Sequence, residues 1–236
     1  MSILMSQRRH KIAVFDIDGT IFRSSLLVAF NKALTKSGVI PQAAVSELLD
    51  EYYAWAERRG SYDDYIAKVV AVHTKHIAGK ERRYVAAAAD LAFLAHRDRV
   101  YRYTRDLVRK LSRPHLLLAS SGSPVEMVVP FGRYFGFDHM WGSVYEVDRR
   151  GRYTGRVLDA RSFNRKDEII SAFTAERGLT LRGSWGVGDT ESDIGFLKLV
   201  DHPICFNPNK TLYNIARRRG WAIVVERKNV VYHIAS

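Results

Sequence analysis

Two aspartates one residue apart, Asp16 and Asp18 in DIDGT, close the apolar run KIAVF where a strand is expected to end. Residues two apart on an extended segment point to one side, so both carboxylates can face a cleft while Ile17 turns into the core. Two unit charges about 4 Å apart repel by roughly 4 kcal/mol at an effective dielectric of about 20, so the pair calls for a cation, a shared proton or solvent. Gly19, next in line, marks a turn that a side chain would obstruct. A second acidic pair, Asp189 and Asp193 in GDTESD, stands at another expected strand end with its members one helical turn apart. Hard carboxylate oxygens of this kind suit Mg²⁺, which takes one or two carboxylates with water and substrate phosphate. Asp189 can also cap the helix that follows, and the two roles are compatible. In SSGSP the Ser121 hydroxyl and the Gly122 amide can cradle an anion near a helix start, with Pro124 near the first turn. The absence of G-x-S-x-G around these serines argues against a serine hydrolase. Lys166, in NRKDEII, opens a helix and can reach the carboxylates to neutralise them.

These residues need a scaffold that brings strand ends together. Short apolar runs ending in polar or glycine residues recur at Lys11–Asp16, His115–Ser120, Ser184–Gly188, Pro203–Asn207 and Ala222–Val225, the pattern of buried parallel strands. Helical segments such as Lys166–Arg177 and Thr211–Arg219, the latter closed by Gly220, lie between them. The alternation predicts an α/β fold with a doubly wound, Rossmann-like parallel sheet, whose ligands bind outside the carboxyl ends of the strands. From about residue 24 to 97 no strand signal occurs and Ala, Leu, Tyr and Glu recur at helical spacing, which predicts a helical insertion after the first strand. GSVYEVDRRGRYTGRVL predicts a β-hairpin turning at Asp148–Gly151, placed at the sheet edge.

DIDGT, SSGSP, Lys166 and GDTESD, in this order, resemble the four motifs of the haloacid dehalogenase superfamily, in particular its phosphoserine-phosphatase-like branch, subfamily IB. FNPNKTLYNIARRRGW is similar to that branch's closing strand and helix. The resemblance implies a catalytic core of residues 1–23 and 98–236 with a helical cap of residues 24–97. It implies a Mg²⁺-dependent phosphatase acting on a small phosphomonoester. Asp16 would be the nucleophile that forms an aspartyl-phosphate, and Asp18 the general acid and then base. Mg²⁺ would be held by the Asp16 carboxylate, the Asp18 main-chain carbonyl and Asp189, with Asp193 in direct contact or one step behind a ligand. Ser121, Gly122 and Lys166 would bind the phosphoryl group. Such chemistry depends on positioning and charge neutralisation, which these residue types supply. An acid at Asp18 points to phosphatase or phosphotransferase chemistry rather than dehalogenation. Phosphoserine phosphatases carry a glutamate nine residues after the nucleophile; here that position is Ser25, and Ser192 stands where Asn is frequent. Both departures disfavour phosphoserine. Transfer to an alcohol, and a non-catalytic phosphate- or nucleic-acid-binding role, are the alternatives.

With 37 Lys and Arg against 25 Asp and Glu, the chain carries a net charge of +12. The basic residues are scattered and no zinc-finger, RNA-recognition or Arg-rich-tail signature accompanies them, so nucleic acid is not the expected partner. A cap with Tyr52, Tyr53, Trp55, Arg58, Arg59, Tyr62 and Tyr65 could suit an acidic or lipid-like phosphomonoester, or simply form packing. His73 and His76 lack zinc-type partners and are expected as a helix-surface pair, and Arg217–Arg219 favour a helix end. The single cysteine, Cys205 in PICF, is expected as a buried inert thiol. MSILMSQRRH has the wrong order and length for a signal peptide, and no run of about eighteen apolar residues occurs. The expected location is the cytoplasm.

Overall fold

A computed structural model describes residues 11–234; the N-terminal MSILMSQRRH lies outside them. The elements in chain order are β1 (Lys11–Asp16), α1 (Leu26–Lys36), α2 (Ala43–Ser46), α3 (Leu49–Ala56), α4 (Tyr62–Ile77), α5 (Arg82–His96), α6 (Arg102–Leu111), β2 (His115–Pro124) and α7 (Val125–Tyr134). They continue with β3 (His139–Val147), β4 (Tyr153–Asp159), α8 (Arg161–Asn164), α9 (Lys166–Arg177), β5 (Thr180–Gly188), a 3₁₀ turn (Glu191–Asp193) and α10 (Ile194–Leu197). Last come β6 (His202–Phe206), α11 (Lys210–Arg219), β7 (Ala222–Arg227) and β8 (Val230–Ile234).

One eight-stranded sheet has the order β4-β3-β2-β1-β5-β6-β7-β8. Its six central strands pair in parallel, and β4 and β8 close the edges antiparallel. The predicted hairpin is thus the β3–β4 pair at one edge. The expected strands are present, β2 running on to Pro124 with a register shift after Ser120. β8, not foreseen from the sequence, returns from β7 and is mostly exposed.

The apolar run of β1 is buried on both faces, which is why it reads as continuous rather than alternating. Ala13 and Phe15 join a core with Leu117, Phe131 and Phe206, while Ile12 and Val14 pack against Ile170, Phe196 and Leu212 on the opposite face. Cys205 is buried in the second layer, as expected. Chain order reverses across β1: β2 and β3 lie to one side, β5 to β7 to the other. Such a reversal opens a crevice at the carboxyl ends of the two central strands, here Asp16 and Gly188.

The chain between β1 and α6 is helical. Its outgoing and returning segments run side by side, with Arg23 N donating to Arg99 O (3.0 Å) and Tyr101 N to Ile21 O (3.0 Å). The β3–β4 turn also grips these helices, Gly79 N donating to Tyr153 O (2.7 Å) and Arg82 N to Gly151 O (2.8 Å). His73 corrects the surface-pair expectation. It is buried inside the helical layer with Nδ1 2.7 Å from Asn31 Oδ1, and burial pushes its pKa down to about 3. His76 pairs instead with Glu47 (2.8 Å). Among the described residues no helix is long and apolar enough to cross a membrane.

Candidate active site

β1 ends in Asp16, and the chain then turns tightly: Phe22 N donates to Ile17 O (2.8 Å) and Gly19 N to Phe22 O (3.0 Å). Gly19 has φ +79, and a Cβ on it would lie 2.0 Å from Asp189 Oδ2. Glycine is therefore required on two counts, conformation and the close approach of Asp189. Asp189 follows β5, and Thr20 Oγ1 donates to its Oδ1 (3.3 Å). The next residues form a capping box centred on Thr190, so Thr190 rather than Asp189 holds the cap position.

Lys166, the first residue of α9, is 2% exposed and donates 2.6 Å bonds to both Asp16 Oδ1 and Asp193 Oδ1. Asp193, fully buried, spends its other oxygen on the amides of Asp189 (2.9 Å) and Thr190 (3.0 Å). Asp16 Oδ2 is buried without a hydrogen-bond partner among the described residues. One carboxylate oxygen each from Asp16, Asp189 and Asp193 lie within 4.8 Å of one another. Burial first, then the neighbouring carboxylates, raise the pKa of Asp16 against the pull of Lys166, and the same causes raise Asp189. Burial disfavours the charge on Lys166, but Asp16 and Asp193 outweigh it and move its pKa up. A buried carboxylate cluster with an unpartnered oxygen and a single lysine is short of positive charge, and its all-oxygen donors match a hard divalent cation.

Asp18 faces the other way, toward α1 and β2. Leu26 N donates to its Oδ1 (2.5 Å), while Ser121 Oγ and Ser123 Oγ (2.8 Å) donate to its Oδ2. Burial raises its pKa although these donors oppose the shift. Ser121, read as an anion ligand, is thus turned toward Asp18. The Gly122 carbonyl accepts from Ser143 (2.7 Å), and a Cβ on Gly122 would stand 2.8 Å from the Phe163 ring. Ser123 was missed in the sequence, although it lies two residues from Ser121 on an extended segment and so shares its side. Ser25 caps α1, accepting from Val28 N (3.5 Å).

Asp16, Asp18, Ser25, Gly122, Lys166 and Asp189 all line one cavity of about 400 Å³; Ser192 lines it too. Tyr62 also reaches this cavity, but Arg58 and Arg59 are exposed and do not line it. Tyr52, Trp55, Tyr62 and Tyr65 pack on one another, with Trp55 stacked on Tyr65 at 5.7 Å and 3°. Of the two readings left open by the sequence, packing describes these four rings, although Tyr52 and Trp55 stay exposed on their outer sides.

Residues 13–198 match the family model described as haloacid dehalogenase-like hydrolase. The chain is 23% identical over 222 residues to a histidinol-phosphatase of Neisseria meningitidis, covering 90% of this chain and 97% of that protein. It is 27% identical over 219 residues to a phosphoserine phosphatase of Mycobacterium tuberculosis, covering 89% and 69%. The solved structure of a Bordetella pertussis protein of unknown function superposes with a TM-score of 0.70 at 24% identity over 91% of this chain and 97% of that one. A substrate-bound phosphoserine phosphatase gives 0.63 at 19% identity over 94% and 96%. These superpositions establish a shared fold. With the family match running from β1, which carries Asp16, past the turn that carries Asp193, the chain belongs to the haloacid dehalogenase-like hydrolases.

Proposed function

We propose that the protein is a Mg²⁺-dependent phosphatase that hydrolyses a small phosphomonoester through an aspartyl-phosphate on Asp16. The observation that carries this reading is the division of labour at Asp16: Lys166 holds Oδ1, while Oδ2 stands buried and unpartnered beside the cavity. Lys166 fixes the carboxylate and supplies positive charge where an anionic nucleophile must approach an anionic phosphate. Asp16 attacks phosphorus in line with the leaving oxygen.

Asp18, its pKa raised by burial, gives its proton to that oxygen and then takes one from the water that cleaves the acyl-phosphate. Turning the Ser121 hydroxyl from Asp18 to a phosphoryl oxygen removes one donor from the carboxylate, so substrate binding itself favours the protonated acid. Asp16, Asp189 and the Asp18 main-chain carbonyl would hold Mg²⁺. When bound, the ion offsets the carboxylate repulsion and the charge of the phosphoryl group. Asp193 is committed to Lys166 and two amides, which supports a positioning role rather than direct ligation.

Residues 24–97 would act as the cap that shields the site from water, since Ser25, Leu27 and Tyr62 line the cavity. Phosphoserine fits poorly, because Ser25 replaces the expected glutamate and no arginine among the described residues lines the cavity to meet a carboxylate. We place the enzyme in the cytoplasm on its single buried cysteine.

A screen for phosphate release over many phosphomonoesters, with and without Mg²⁺, tests this reading. We expect turnover that needs Mg²⁺ and disappears in Asp16→Asn. Full activity in that variant, or no turnover of any ester, overturns it; transfer to added alcohols in place of phosphate release would favour a phosphotransferase.

A further inference from the structure

We propose that the substrate's leaving group is an apolar or aromatic body bearing an amine, with Asp63 as its counter-charge. This rests on the phosphatase reading and adds the class of ester it takes. Beyond the catalytic floor, the cavity wall is built from Leu27, Ile66, Val70, Tyr145, Val157 and Phe163. Such a lining favours an apolar body, which releases water from both surfaces as it enters.

Among the described residues, the charged ones lining the cavity are Asp16, Asp18, Asp63, Asp189 and Lys166. Lys166 is already shared between Asp16 and Asp193, so a carboxylate on the leaving group would lose its water and meet no free cation among the described residues of the lining. Asp63 is placed for the opposite charge. It lies in the first turn of α4 at the exposed rim, next to the Tyr62 ring that also lines the cavity. Burial first, and then the charge of Glu191 in the 3₁₀ turn, raise the pKa of Asp63, so a second carboxyl group from the core acts on the same place. An ammonium there relieves the repulsion between the two acids.

Three esters with matched phenol leaving groups test the assignment: tyramine O-phosphate, para-ethylphenyl phosphate, and the O-phosphate of para-hydroxyphenylpropionate. Their kcat/KM values should fall in that order, the amine exceeding the neutral ester by about tenfold, the low end for a hydrogen bond to a charged group. Asp63→Asn should bring the amine-to-neutral ratio close to unity, and Asp63→Lys should place the acid ahead of the amine. These are ratios within one variant, so partial loss of folding does not imitate them. Equal turnover of all three esters, preference for the acid by the parent enzyme, or an unchanged ratio in Asp63→Asn overturns this inference while leaving the phosphatase reading intact. If none of the esters, nor any other phosphomonoester, is hydrolysed, both fall together.

Discussion

Among the described residues Lys166 is the one cation that lines the cavity, paired with Asp16 and Asp193, and Asp189 joins those two in one carboxylate cluster. Removing a partner from a buried ion pair leaves charge uncompensated, which costs about 3–5 kcal/mol. Lys166→Met is therefore expected to lower stability by about 3 kcal/mol in urea titrations without divalent cation. It should also reduce phosphate release by more than about a hundredfold, as for loss of one charge-stabilising donor. An active variant of parental stability would show that Lys166 is a bystander. The residues around it were legible as a set because each ends a strand or opens a helix, where polar groups interrupt an apolar pattern. Asp63 was not, since an acid in a helix's first turn is ordinary and only the cavity gives it a role.

At the scale of elements, the helical insertion was readable from its spacing, but its interior was not. His73 reads like a surface residue beside Thr74, Lys75 and His76, yet the fold places it against Asn31, Phe30 and Tyr145. Its folded pKa, lowered by burial to about 3 from 6.5, fixes the sign of its effect on stability. Between those values only the unfolded chain takes up the proton, so stability is fully present above pH 6.5 and is lost as pH falls toward about 3. The contribution approaches about 1.4 kcal/mol per pH unit within that window. Urea titrations across the window should show a steeper acid loss for the parent than for His73→Gln, and equal slopes would contradict the buried neutral imidazole. β8 escaped notice for a related reason: an exposed edge strand with one neighbour needs no buried face, so its pattern carries little signal.

For the whole molecule, the order of the sheet brings Asp16 and Asp189 together, and the hairpin and helical insertion complete the walls above them. Local patterns foretold both parts but not their contact, because a cavity wall depends on which faces meet across long stretches of chain. Gly155 of β4 sits at that contact with φ +83, where a Cβ would lie 3.1 Å from Ala78 Cβ and 3.3 Å from Thr74 O of α4. Gly155→Val should cost about 2 kcal/mol, from the left-handed backbone strain and the crowding. By displacing the strand that carries Val157, it should raise KM more than it lowers kcat in steady-state assays; an unchanged KM would mean that this contact does not shape the cavity. The claim on which the account turns is the covalent intermediate, and chemical trapping reads it directly. Enzyme quenched during turnover, reduced with borohydride and digested for peptide mass spectrometry should carry a reduced side chain at Asp16, dependent on substrate and missing from Asp16→Asn. Vigorous turnover with an unmodified Asp16 peptide, or reduction at a different carboxylate, would contradict the account.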